Sequence, residues 1–140
     1  MDGFALVPRG WGLYVIVRRT LGEPEREEFS DLYQRACWFL HGRGPGWGVV
    51  ADLCGMPLDG SLHDRLAAPM HLARQHGAGR SAALVSDVAA AGVLADALRA
   101  AGVADRSRVF VAPGGGPEGL RRAHDWVLKG IEPAAERCAA

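Results

Sequence analysis

Short β-branched apolar runs alternate along this chain with stretches whose apolar residues recur every three to four positions, and that alternation limits the fold more than any other feature. Phe4 to Val7 and Leu13 to Val17 come first, with Pro8-Arg9-Gly10 between them as a turn, so they predict a β-hairpin. A helix follows, with Pro24 near its start and Glu25, Glu27 and Glu28 in its first turns, where carboxylates complement the helix dipole. Phe29, Leu32, Tyr33, Ala36, Cys37 and Leu40 form its apolar stripe, and Gly42 ends it. Val49 to Leu53 predicts a third strand. A second helix opens at Ser61 with the stripe Leu62, Leu66, Met70 and Ala73, and Pro69 predicts a kink or a broken first turn within it. Ala82 to Val85 and Val109 to Val111 predict two more strands, separated by an Ala-rich helix, Val88 to Ala101, capped by Ser86 or Asp87. Pro117 opens a last helix whose stripe reads Leu120, Ala123, Val127 and Ile131.

The order is β-β-α-β-α-β-α-β-α within residues 1–132, followed by a loose tail over 133–140. Such alternation predicts a single α/β domain with a mostly parallel five-stranded sheet and one antiparallel edge. Right-handed crossovers laid down in one direction collect helices mainly on one face. Yet Leu13, Val15 and Val17 alternate with Tyr14 and Ile16, so the strand is apolar on both faces. The second face therefore needs cover: a crossing helix, a second copy in a homodimer, or an apolar ligand.

A chain of 140 residues suits one domain and can bury a core without staples. Sixteen basic and sixteen acidic residues cancel, so no net charge drives the chain onto nucleic acid. No apolar run reaches the roughly 18–20 residues of a membrane span, and the N-terminus lacks signal-peptide character. Three widely spaced cysteines, Cys37, Cys54 and Cys138, suggest neither a disulfide framework nor a zinc site and favour a reducing, cytoplasmic compartment.

The element order, with Val49-Val50-Ala51-Asp52-Leu53 followed by a turn and a helix near Ser61, resembles the STAS/SpoIIAA-like family, and in particular its bacterial SpoIIAA-like branch. The segment Arg108-Val109-Phe110-Val111-Ala112 before the last helix is similar to that branch too, and the likeness spans roughly residues 4–130. It implies a SpoIIAA-like βα superhelix acting in signalling by protein contact, as the anti-sigma-factor antagonists of the family do. It also implies phosphorylation of a serine at the start of the second helix by a partner kinase. Asp59-Gly60-Ser61-Leu62 supplies the Asp-x-Ser spacing there, while Gly60 and Leu62 depart from the family's Asp-Ser-Ser/Thr-Gly run. A phosphoserine at a helix N-terminus would meet free N–H groups, and an unmodified Ser61 serves simply as an N-cap.

The remaining candidates each have a structural alternative. Asp52 stands near a strand's C-terminal end, where open α/β sheets place ligand sites, or it hydrogen-bonds the following turn. Asp87 ends the next strand and reads as a cap. Gly114-Gly115-Gly116 lacks the Gly-Lys-Ser/Thr ending of a phosphate-binding loop. His41, His63, His71, His76 and His124 form no tight ligand pair, so neither metal nor cofactor is expected. Trp38 falls opposite the stripe of its own helix, which makes it a contact surface unless the loop after Gly42 folds over it. The reading is a non-catalytic regulatory or protein-interaction domain, with Ser61, Trp38, Asp52 and Asp59 as its candidate positions. The alternatives are a carrier of a small apolar or lipid ligand and, third, a small enzyme using carboxylates at strand ends.

Overall fold

Strand β1 (Phe4–Arg9) pairs antiparallel with β2 (Gly12–Val17), and β3 (Gly48–Asp52), β4 (Ser81–Val85) and β5 (Ser107–Val111) follow in parallel, giving one sheet in the order β1-β2-β3-β4-β5. This is a computed structural model, and it describes residues 3–59, 63–113 and 116–132. Helices α1 (Glu23–His41), α2 (His63–Gln75), α3 (Val88–Ala100) and α4 (Pro117–Lys129) alternate with the strands after the hairpin. The chain is thus an α/β domain with a mostly parallel sheet and an antiparallel edge, in the order the alternation predicts. The expected tail over 133–140 lies outside the described residues.

Two local expectations are corrected. Pro8 does not turn the chain; it lies in β1, opposite Leu13, and the turn falls at Gly10-Trp11. An edge strand tolerates a residue without an N–H because only one side of it needs to pair. The stripe of α4 runs through Gly119, Ala123, Trp126 and Val127, while Ile131 lies beyond the helix and is exposed. Gly130 ends that helix in the left-handed conformation, with φ 70°, which turns the chain before Ile131 can continue the stripe.

Two cores occupy the two faces of the sheet. Leu13, Val15, Val17, Val49, Ala83 and Val85 face α1, α2 and α3. Val50, Ala82, Leu84, Phe110 and Ala112 face α4, which sets Ala123, Trp126 and Val127 against them. The second face of β3, β4 and β5 is therefore covered by a crossing helix. On β1 and β2 that face carries Ala5, Val7, Tyr14 and Ile16, all half-buried.

Cys37 of α1 is fully buried, and burial pushes its thiol up to about 12. The thiolate is the nucleophile, so iodoacetamide at about pH 8 is expected to leave Cys37 unmodified in the native chain and to alkylate it in urea. Peptide mass mapping reads the difference, and modification of native Cys37 would contradict this packing. An unfolded thiol ionises near its ordinary value of 9.0, below the folded one. The stability linked to Cys37 is therefore complete below that value and is lost as the pH rises through the interval up to about 12.

Candidate functional site

The middle of the sheet is built from small side chains on the face that α1 and α2 cover. Val15, Ala51, Ala83 and Val109 stand in one row across β2 to β5. The two alanines leave space where larger β-branched residues would reach the helices. Above them, α2 carries Pro69 in its interior, so the helix lacks one backbone donor at mid-length. The helix nevertheless runs unbroken through it from His63 to Gln75.

Together these features leave a cavity of about 630 Å³ between α1, α2 and the sheet. Its walls are apolar: Val15 and Val17 from β2, Phe29 from α1, Leu53 and Met56 after β3, and Leu66 and Met70 from α2. A volume of this size lies within the range of roughly 300–1,000 Å³ typical of small-molecule sites. Tyr33 of α1 reaches across and donates its O–H to the Pro69 carbonyl at 3.0 Å, tying the two helices together. Burial raises its pKa far above the ordinary phenol value, so the hydroxyl stays protonated and acts as a donor.

The polar lining divides by position. Thr20 comes from the connection between β2 and α1, Arg26 from the first turn of α1 and Arg65 from the first turn of α2. All three stand toward the C-terminal ends of the parallel strands, where open α/β sheets place ligands. Arg26 donates to the Leu21 carbonyl at 3.2 Å. At the other end, Arg108 forms a two-pronged pair with Glu132 at 2.9 and 2.6 Å and lies 4.2 Å from the Trp126 ring centre. Arg108 is thus already neutralised and stacked.

Trp38 remains 65% exposed and its neighbour Phe39 59% exposed. The glycine loop does not cover Trp38. It bends instead toward the end of α2, where the Gly46 N–H donates to the Gly77 carbonyl and the Gly79 N–H to the Trp47 carbonyl. Trp38 meets His76 and His41 at ring-centre distances of 4.9 and 5.8 Å, so the C-terminal ends of α1 and α2 join in an aromatic cluster.

Asp52 accepts the Cys54 N–H at 3.1 Å, the turn-forming role expected as its alternative. Burial, and after it the charge of Asp52, raises the pKa of Tyr14, which Arg9 opposes. Asp87 caps α3 by accepting the Ala90 N–H at 2.8 Å. His41 and His76 stand at the opposite end of the sheet from Asp52, because α1 and α2 run antiparallel to the strands they follow. His124 packs edge-on against Trp11 on the α4 face. Asp59 is exposed and already engaged in an interaction. Ser61 and the pair Gly114-Gly115 lie outside the described residues.

Sequence reasoning passed over the cavity as a place. Its signal was present in Ala51 and Ala83, two small residues in the centres of neighbouring strands, but their alignment depends on register. No family model matches the chain, and no curated protein or solved structure matches it either.

Proposed function

We propose that this chain is a non-catalytic binding domain that holds one small apolar ligand between α1, α2 and the sheet. The observation that supports this reading best is the cavity of about 630 Å³, walled mainly by aliphatic, aromatic and methionine side chains, with Thr20, Arg26 and Arg65 among its polar lining. Asp52 and Asp87 are occupied with backbone N–H groups, and His41 and His76 stand at the opposite end of the sheet from Asp52, which favours binding over acid–base chemistry. Native mass spectrometry of freshly purified protein is expected to retain a mass of a few hundred daltons or to acquire one on adding an apolar ligand. Ala51→Phe, which places a ring in the cavity, is expected to abolish that uptake while leaving the circular dichroism spectrum unchanged. A wild-type chain that stays free of ligand, or an Ala51→Phe chain that binds as well as wild type, would defeat the reading.

The regulatory, protein-contact role that the STAS/SpoIIAA-like resemblance implies is the second reading, and the exposure of Trp38 beside Phe39 favours it. In that case Trp38→Ala abolishes capture of a specific protein partner and leaves ligand uptake untouched. Unchanged capture by Trp38→Ala would remove this surface from the partner's footprint.

A further inference from the structure

The cavity collects charge of one sign. The whole chain carries equal numbers of basic and acidic residues, sixteen of each, yet among the described residues no aspartate or glutamate lines the cavity, while Arg26, Arg65 and Arg108 do. The carboxylates of α1 are directed elsewhere. Glu27, Glu28 and Asp31 line a separate depression on the outer side of the helix, and Glu25 is held by Arg19 at 2.5 and 2.7 Å. Arg108 is paired with Glu132, which leaves Arg26 and Arg65, of the three arginines lining the cavity, without a carboxylate partner among the described residues. Both stand at the N-terminal ends of their helices, toward the C-terminal ends of the strands, and share the cavity with Leu53, Met56 and Leu66.

An apolar compartment with two guanidinium groups at one end, neither with a carboxylate partner among the described residues, is suited to a molecule with the same division. Arginine forms forked hydrogen bonds to planar or tetrahedral oxyanions, and a low-dielectric wall beside it strengthens the attraction. A neutral ligand would gain no charge-assisted contact from either guanidinium, and a cationic one would be repelled.

We infer that the ligand is a single-chain amphiphile with an anionic oxygen headgroup, its chain lying along Val15, Phe29, Leu53 and Met70 and its head meeting Arg26 and Arg65. This deepens the binding reading above and rests on it. The headgroup chemistry is that of a carboxylate or a phosphate monoester, which share oxyanion acceptors.

Titration calorimetry with four twelve-carbon probes below their micelle concentrations tests this: dodecanoate, dodecyl phosphate, dodecanol and dodecyltrimethylammonium. Both anions are expected to bind about tenfold or more tightly than dodecanol, the gain of a charge-assisted contact, and the ammonium probe least of all. The tighter of the two anions identifies whether carboxylate or phosphate is the better headgroup. Arg65→Gln, at an exposed position that tolerates change, is expected to weaken the anions about tenfold and leave dodecanol unaltered, and Arg26→Gln to act in the same sense. Dodecanol binding as tightly as dodecanoate, or anion affinity unmoved in both variants, would overturn the headgroup inference while leaving the apolar site intact. Failure of all four probes to bind would overturn the apolar site itself.

Discussion

Replacing Trp126 by alanine is expected to destabilise the chain by about 3–5 kcal/mol, the usual cost of emptying a large buried aromatic site. Trp126 is almost wholly buried and packs among Leu84, Phe110 and Ala123 on the face that α1, α2 and α3 do not reach. Its indole N–H donates to the Ser81 carbonyl at 2.9 Å, and Arg108 lies against its ring. The substitution thus removes aromatic area, takes the indole donor from the part-buried Ser81 carbonyl, and takes away the platform that orients the Arg108–Glu132 pair. Against a total stability of about 5–15 kcal/mol for domains of this kind, that loss is severe. Urea denaturation should show a lower midpoint with an unchanged slope. Trp126→Phe keeps most of the packing and loses the hydrogen bond, so about 1 kcal/mol is expected beyond the small change in area. Leu128, two positions on and exposed, provides the contrast: Leu128→Ala should cost less than about 0.5 kcal/mol. A Trp126→Ala midpoint within error of wild type would mean that α4 does not cover the sheet as described.

Gly12→Ala is the second substitution with a large expected effect, on the order of 3 kcal/mol or more. Gly12 has φ 153°, a conformation that side-chain-bearing residues rarely adopt. It also sits beside Gly48 where β2 meets β3, and a Cβ there would stand 1.9 Å from the Gly48 carbonyl oxygen. The obstacle is backbone, so no side-chain rotation relieves it. Relief requires the two strands to part at the residue where the Gly48 N–H also donates to the Trp11 carbonyl. Gly48 is itself tightly placed, since a Cβ on it would meet Val127 of α4 at 2.1 Å. Gly10, two residues earlier, has no positive φ, and a Cβ on it would meet nothing within 4 Å. Gly10→Ala should therefore shift the urea midpoint by less than about 0.5 kcal/mol equivalent. Equal midpoints for the two alanine variants would refute the close approach of β2 and β3.

Much of the fold was legible because its signals are local. The stripe ending in Tyr33, Cys37 and Leu40 lies buried as its spacing predicts, although Leu32 at its border is exposed. Asp87 caps α3 and Pro117 opens α4 because both roles depend on neighbours within one helical turn. Trp38 was legible as an off-stripe aromatic, but its exposure was not, since that depended on whether a loop bound the end of α2 or folded back. An apolar carrier was among the sequence's alternatives, but the place of its cavity was not legible. Ala51 and Ala83 are ordinary residues in a linear reading and make space only when register sets them side by side beneath α2. The charge division around it was equally hidden, because Arg26 and Arg65 are 39 positions apart in sequence while Glu27 and Glu28, adjacent to Arg26, turn away.

The sequence by itself determined the alternating order and hence a mainly parallel sheet with one antiparallel edge, since strand and helix periods are properties of short windows. That α1, α2 and α3 share a face follows from the right-handed crossover rule once the strands advance in one direction, which the observed order β1-β2-β3-β4-β5 supplies. Only the tertiary structure decided where α4 goes. Among the described residues no strand follows that helix, so the crossover rule does not bind it, and the apolar face of β3 to β5 drew it to the opposite side through Ala123, Trp126 and Val127. The cavity was decided at the same level, by strand register and by how closely α2 can approach a row of alanines.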